Sequence, residues 1–131
     1  MKVRTVGYYK ETQHGFGASE SIMDYLHKES EIRIDDICNY LESGIEFIVS
    51  LGIVEDVVKP EKGMAGTPST FTDGEWFWPG DLAYYVRNYK LKLPDEFIET
   101  MIRNNWEVNC TLDDLDYEEI EVNGVKIFEN E

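Results

Sequence analysis

The chain has 131 residues, 42% of them hydrophobic, and a formal net charge of −15 from 27 acidic and 12 basic side chains. That length fits a single domain over residues 1–131, with enough apolar side chains for a proper core and no need of a disulfide framework or structural metal. The carboxylate excess argues against nucleic acid and anionic lipid as partners, because both are bound by releasing counterions through Lys and Arg.

In chain order, Lys2 to Lys10 carries Val3, Val6, Tyr8 and Tyr9 and predicts a strand. No apolar stretch follows Lys2 and Arg4, so a secretory signal is not expected. Gly15-Phe16-Gly17-Ala18 reads as a loop that lacks the third glycine of a dinucleotide fingerprint. Ser21 is placed to cap a short helix with a stripe of Ile22, Tyr25 and Leu26, ending near Glu29. A second helix is predicted from Asp35 or Asp36, with Ile37, Tyr40 and Leu41 inward and Gly44 as a left-handed stop.

The runs 45–49 and 53–58 are β-branched and aromatic and predict strands, with Gly52 as a turn or bulge between them. The stretch from Pro60 to Pro68 is expected to be a loop. Ser69–Thr72 and Glu75–Trp78 then flank Asp73-Gly74 as a hairpin. Asp81 offers a cap for a helix bearing Leu82, Tyr85, Val86 and Tyr89. Leu93-Pro94 opens a third helix whose inward face is Phe97, Ile98, Met101 and Ile102, ended by Asn104-Asn105. Residues 119–122 and 125–128 flank Asn123-Gly124, a dipeptide suited to a two-residue hairpin turn. The predicted architecture is α+β: an antiparallel sheet covered on one side by short helices, with an acidic C-terminal hairpin.

No local pattern assigns catalysis. Cys38 lies inside an amphipathic helix, where a small buried hydrophobe is the default, and no nucleophile elbow is present. Cys38 and Cys110 fit a reducing compartment, and no run of about 18 apolar residues occurs, so a cytoplasmic protein is expected. His14 and His27 are isolated, which leaves zinc without a ligand set. Asp114, Asp116 and Glu118 match the first ligand spacing of a calcium loop, but Glu119 stands where glycine is required and Val125 where a bidentate glutamate belongs. The chain is therefore read as a non-enzyme without metal or cofactor.

Two regions carry the candidate contact residues. Asp73, Glu75, Trp76, Trp78 and Asp81 lie in an aromatic stretch whose strand periodicity puts Trp76 and Trp78 on one face and Phe77 on the other. The stretch could be core or contact surface, since aromatics dominate both. Asp113, Asp114, Asp116, Tyr117, Glu118 and Glu119 belong to an acidic segment over 107–131, which holds nine acids against one base. Its charges could steer a basic protein partner while apolar groups anchor it, or could simply keep the chain soluble.

The run from Phe71 to Trp106 includes Thr72-Asp73-Gly74-Glu75-Trp76-Phe77-Trp78-Pro79, Asp81-Leu82, Tyr84-Tyr85-Val86, Tyr89 and Leu93-Pro94-Asp95-Glu96-Phe97-Ile98. This pattern resembles small acidic bacterial cytosolic proteins that look like the immunity partners of polymorphic toxins. The resemblance covers about a quarter of the chain and brings no catalytic residues. It implies an inhibitor that neutralises a basic partner, a toxin in the particular case. The alternatives are an adaptor without inhibitory role and a small ligand-binding domain or enzyme with an aromatic pocket around Trp76, Trp78 and Tyr85.

Overall fold

The computed structural model describes residues 2–12, 20–109, 121–122 and 125–126. Among these the fold is α+β, with helices α1 (Glu31–Glu42), α2 (Leu82–Tyr89) and α3 (Asp95–Arg103). The strands are β1 (Lys2–Thr5), β2 (Ile45–Ile48), β3 (Val54–Glu55), β4 (Met64–Gly66), β5 (Thr70–Thr72), β6 (Trp76–Pro79), β7 (Glu121–Val122) and β8 (Val125–Lys126). Six form one sheet in the order β2-β5-β6-β1-β7-β8, and β3 pairs with β4 in a separate two-stranded sheet.

The sheet departs from the expected antiparallel arrangement at one strand. β1 runs parallel to both of its neighbours, β6 and β7, while the remaining pairs are antiparallel. Side-chain alternation is the same in both kinds of ladder, so the sequence pattern of β1 does not encode its direction.

β6 is the centre of the core, and all four of its residues are buried. Trp76 and Trp78 point to the helix-covered face, where both rings pack on Phe97 at centroid distances of 5.0 and 5.4 Å. Each indole N–H finds an acceptor, Thr100 Oγ1 at 3.1 Å for Trp76 and the Leu41 carbonyl at 3.2 Å for Trp78. Phe77 points the other way and stacks on Phe47 at 4.9 Å. The core reading of the aromatic stretch is the one observed.

The hairpin between β5 and β6 forms as expected, with Thr72 paired to Phe77. Its turn includes Glu75 as well as Asp73-Gly74, and Gly74 takes φ +97°, a region open to glycine. The C-terminal hairpin also forms, with Val122 opposite Val125.

Several local expectations are corrected where a distant hydrogen bond or contact competes. Ser21 does accept the Met23 N–H, but only a single 3₁₀ turn, Ile22–Tyr25, follows. Beyond it the N–H groups of His27, Lys28 and Glu29 bond to the Tyr89 and Lys90 carbonyls at the end of α2, so they are not free to continue a helix. α1 begins at Glu31, about one turn earlier than Asp35, because Ile34 extends the inward stripe of Ile37, Cys38 and Leu41. Ile102, expected to face inward on α3, is half-exposed, and Thr100 takes a buried place by receiving the Trp76 indole.

Gly44 does not adopt a left-handed conformation. It is glycine because a Cβ there would fall inside the Trp78 indole. The strand predicted over 53–58 stops at Glu55, since the Asp56 carboxylate accepts the Val58 and Lys59 N–H groups, both at 2.8 Å, and curls the chain. The returning segment, expected to be a loop, contains a 3₁₀ turn at Pro60–Lys62 and then β4.

Asp56 is fully buried and also ties this region to α2, accepting the hydroxyls of Tyr89 at 2.5 Å and Tyr84 at 2.7 Å. Burial alone would raise its pKa. The donors from Tyr89, the Lys59 N–H, Tyr84 and the Val58 N–H outweigh burial and hold the carboxyl below its ordinary value.

Two predictions follow from these contacts. Gly44→Ala forces a methyl group into the Trp78 ring and is expected to cost about 1–3 kcal/mol of stability by overpacking, read from denaturant unfolding. Asp56, with its folded pKa depressed, contributes stability that is present above its unfolded value and lost as pH falls through the folded value. The gap in thermal midpoint between the parent protein and Asp56→Asn is therefore expected to be widest near neutral pH and to shrink on acidification below about pH 4.

Candidate protein-binding surface

The structure places four of the five sequence-predicted contact residues that it describes in the interior. Trp76 and Trp78 are 3% and 1% exposed, so they hold the core and are not a contact surface. Asp73 is buried because it builds the hairpin turn: one oxygen accepts the Glu75 and Trp76 N–H groups at 2.8 and 2.7 Å, the other the Tyr40 hydroxyl at 2.5 Å. Asp81 is buried in the N-cap position of α2, without a capping hydrogen bond from its side chain. Glu75 alone of this group is exposed, and it pairs with Arg103 at 2.5 Å. Asp113, Asp114, Asp116, Tyr117, Glu118 and Glu119 lie outside the described residues.

Tyr85 is buried too, its hydroxyl accepting the Val57 N–H at 3.0 Å and donating to the Glu55 carbonyl at 3.3 Å. Trp78 forms one wall of a cavity of about 170 Å³, together with Leu41, Glu42, Phe71 and Ala83. That space is below the roughly 300–1,000 Å³ of pockets that enclose drug-sized ligands. Cys38 behaves as expected of a small core residue. It is fully buried, its thiol points at the Ala83 carbonyl 3.6 Å away, and burial pushes its pKa up to about 11.

The exposed apolar residues cluster elsewhere. Val49, Leu51 and Ile53 are 66%, 94% and 65% exposed, all in the segment that leaves β2 and leads into β3. Met64, half-exposed, stands in β4 directly across from Glu55. A scattered surface leucine is ordinary, but three large exposed apolar side chains within five residues of one segment are not.

The segment is pinned, and the pinning sets which side chains face out. The Ser50 N–H donates to Ser69 Oγ at 3.0 Å, and the Ser50 carbonyl accepts the Ser69 hydroxyl at 3.2 Å and the Thr67 hydroxyl at 3.4 Å. Ser69 is itself buried. With Ser50 held against the fold, its neighbours Val49 and Leu51 stand exposed on either side of it. Gly52 then turns the chain at φ +102°, with open space around it.

The stretch of chain that carries this ridge has charges of one sign. From Ile34 to Val58 the chain contains Asp35, Asp36, Glu42, Glu46, Glu55 and Asp56 and no basic residue. All of these carboxylates except Asp56 are exposed. Arg87 on α2 neutralises Glu42 at 2.7 Å. An apolar ridge set among carboxylates combines the two properties of a protein-binding surface for a basic partner: apolar area to desolvate, and a field that favours approach.

Sequence reading missed this site because it took the β-branched run for two strands joined at Gly52. The available signals were the alternation Val49-Ser50-Leu51-Gly52-Ile53 and the absence of any base between Arg33 and Lys59. Among the described residues no helix is long and apolar enough to cross a membrane. No protein family, curated protein or solved structure was found to match the chain.

The anchoring of Ser50 is testable without a partner. Ser69→Ala removes a hydroxyl that both accepts from and donates to the Ser50 backbone. Hydrogen exchange at the Ser50 amide is expected to accelerate about ten-fold, from the loss of roughly 1–2 kcal/mol of local hydrogen bonding, with a smaller change in α2.

Proposed function

We propose that this chain is a protein-binding inhibitor that neutralises a basic partner, in the manner of an immunity protein acting on a toxin. The observation that carries this reading is the Val49-Leu51-Ile53 ridge, held outward by the anchored Ser50 within a stretch devoid of bases. Covering those three side chains contributes on the order of 5 kcal/mol. That offsets only the lower end of the cost of association, estimated at about 4–15 kcal/mol, so charge complementarity has to add to it.

The net charge of −15 supplies the second ingredient. A field of this size raises the rate of encounter with a cation-rich protein by roughly 10- to 1,000-fold and makes that rate sensitive to salt. A basic catalytic cleft covered by such a surface loses access to its substrate. The buried candidates Trp76, Trp78, Asp73 and Asp81 support the interface indirectly, by fixing the sheet that presents β2.

The test is affinity for a basic partner together with that partner's activity. Leu51→Asp is expected to weaken binding by about ten-fold or more, because it removes an apolar anchor and puts a charge into the desolvated centre. It should leave the thermal midpoint within about 2 °C, as exposed substitutions seldom change stability by more than about 0.5 kcal/mol. Association should slow markedly between about 10 mM and 150 mM salt, as the Debye length shortens to about 8 Å. A partner that binds and keeps its activity makes the chain an adaptor. Binding that ignores Leu51→Asp places the interface elsewhere.

A further inference from the structure

We infer that the cavity beside Trp78 is a socket for one phenylalanine side chain of the basic partner, which carries lysine or arginine next to it in sequence; this deepens the protein-binding reading above and rests on it. The cavity lies between the end of α1 at Leu41 and Glu42, the start of α2 at Ala83, and the side chains of Phe71 and Trp78. Glu42 is exposed and Phe71 half-buried, whereas Leu41, Trp78 and Ala83 are buried. The mouth is therefore at Glu42, and the floor is apolar.

Size and polarity together select the occupant. At about 170 Å³ the space is close to that of an engineered apolar cavity of about 150 Å³ that stays dry and takes up benzene. Water settles in such a space only where roughly two to four polar partners receive it. Here the Trp78 indole N–H is already given to the Leu41 carbonyl, and the Glu42 carboxylate is bound by Arg87 at 2.7 Å. A phenyl ring matches the volume, and an alanine methyl leaves most of it empty.

The flanking charge follows from the strand register. Glu46 of β2 is paired with Phe71, and Phe71 with Trp78, so the three side chains form a row across the face that holds the cavity. Glu46 is exposed and stands roughly 5 Å, between Cβ atoms, from the Phe71 that lines the cavity. With Arg87 set against Glu42, Glu46 is the carboxylate that meets a cation beside the inserted ring. A second copy of this chain is disfavoured as the occupant, because it brings a net charge of −15 to a rim of carboxylates. The cavity also belongs to the same built unit as the ridge. Gly80 of its lining donates its N–H to the Ser69 carbonyl at 2.9 Å, and the Ser69 hydroxyl anchors Ser50 between Val49 and Leu51. Ridge and socket thus share Ser69 as a common support.

The probes are the tripeptide amides acetyl-Lys-Phe-Lys, acetyl-Lys-Ala-Lys and acetyl-Glu-Phe-Glu, titrated against the full chain and followed by NMR at the Trp78 indole N–H and the Ala83 amide. The basic Phe peptide is expected to shift both signals and to bind about ten-fold or more tightly than the Ala peptide, the effect of burying one phenyl side chain. It should also bind more tightly than the acidic peptide, and Glu46→Lys should narrow that margin. Ala83→Leu fills the cavity and should abolish the advantage of Phe over Ala; the peptide series on the parent chain decides the matter if that variant does not fold. Equal affinity of the Phe and Ala peptides for the parent chain, no binding by either, or shifts confined to other residues overturns the socket. A margin over the acidic peptide untouched by Glu46→Lys overturns the flanking cation. Leu51→Asp lies outside the cavity and is expected to leave tripeptide affinity unchanged. Failure of the tripeptides therefore strikes the socket alone, whereas basic-partner binding indifferent to Leu51→Asp strikes the reading on which it rests.

Discussion

The arrangement of the whole chain depends on the burial of β6 from both faces. Trp76-Phe77-Trp78 puts two indoles under the helices and a phenyl ring on the opposite side, and a strand loaded in this way has to be flanked by other strands. The Trp78 indole reaches further than its own face. Its N–H is bound by the last turn of α1, and its ring occupies the space where Gly44 would carry a side chain. The exit of α1 and the start of β2 are thereby fixed to β6 through one residue. The position of the sheet edge, and of the ridge that continues it, follows from that contact.

A second consequence concerns where function can sit. The most aromatic stretch of the sequence is consumed by the core, so its hydrogen-bonding and stacking capacity is spent within the fold. The surface left for recognition is built from aliphatic side chains and carboxylates, positioned by small hydroxyl residues. Ser50, Thr67 and Ser69 are chemically modest, yet their mutual hydrogen bonds determine that Val49 and Leu51 face solvent. The Asp56 cluster plays the corresponding part on the far side of the ridge, closing β3 against Tyr84 and Tyr89.

Much of the fold was legible in the sequence where local chemistry and tertiary context agree. The Asp73-Gly74 hairpin, the stripe of α3 through Phe97, Ile98 and Met101, and the pairing of β7 with β8 all followed from turn residues and periodicity. Legibility failed where distant partners decide. The N–H groups of residues 27–29 are engaged by carbonyls at the end of α2, and Gly44 answers to a ring 34 positions later in the chain, neither of which a local window contains. The candidate site was missed for a related reason. A β-branched run reads the same whether it is destined for a core or left outside, and only the anchoring of Ser50 separates the two outcomes. The acidic balance, by contrast, is fully legible, both in residues 107–131 and in the base-free stretch before Lys59.

β1 gives the topology a temporal aspect. It is the first strand of the chain, yet it lies inside the sheet between β6 and β7, with Arg4 opposite Trp76 and Val3 opposite Val122. Neither neighbour exists when β1 leaves the ribosome. The strand waits for its native partner through the synthesis of α1 and the whole central hairpin, and its second edge waits until β7 is made. Contacts so distant in sequence close large loops and form late. Maturation of the sheet is thus tied to synthesis of β7, and a nascent molecule remains unfinished at its centre until that strand has emerged.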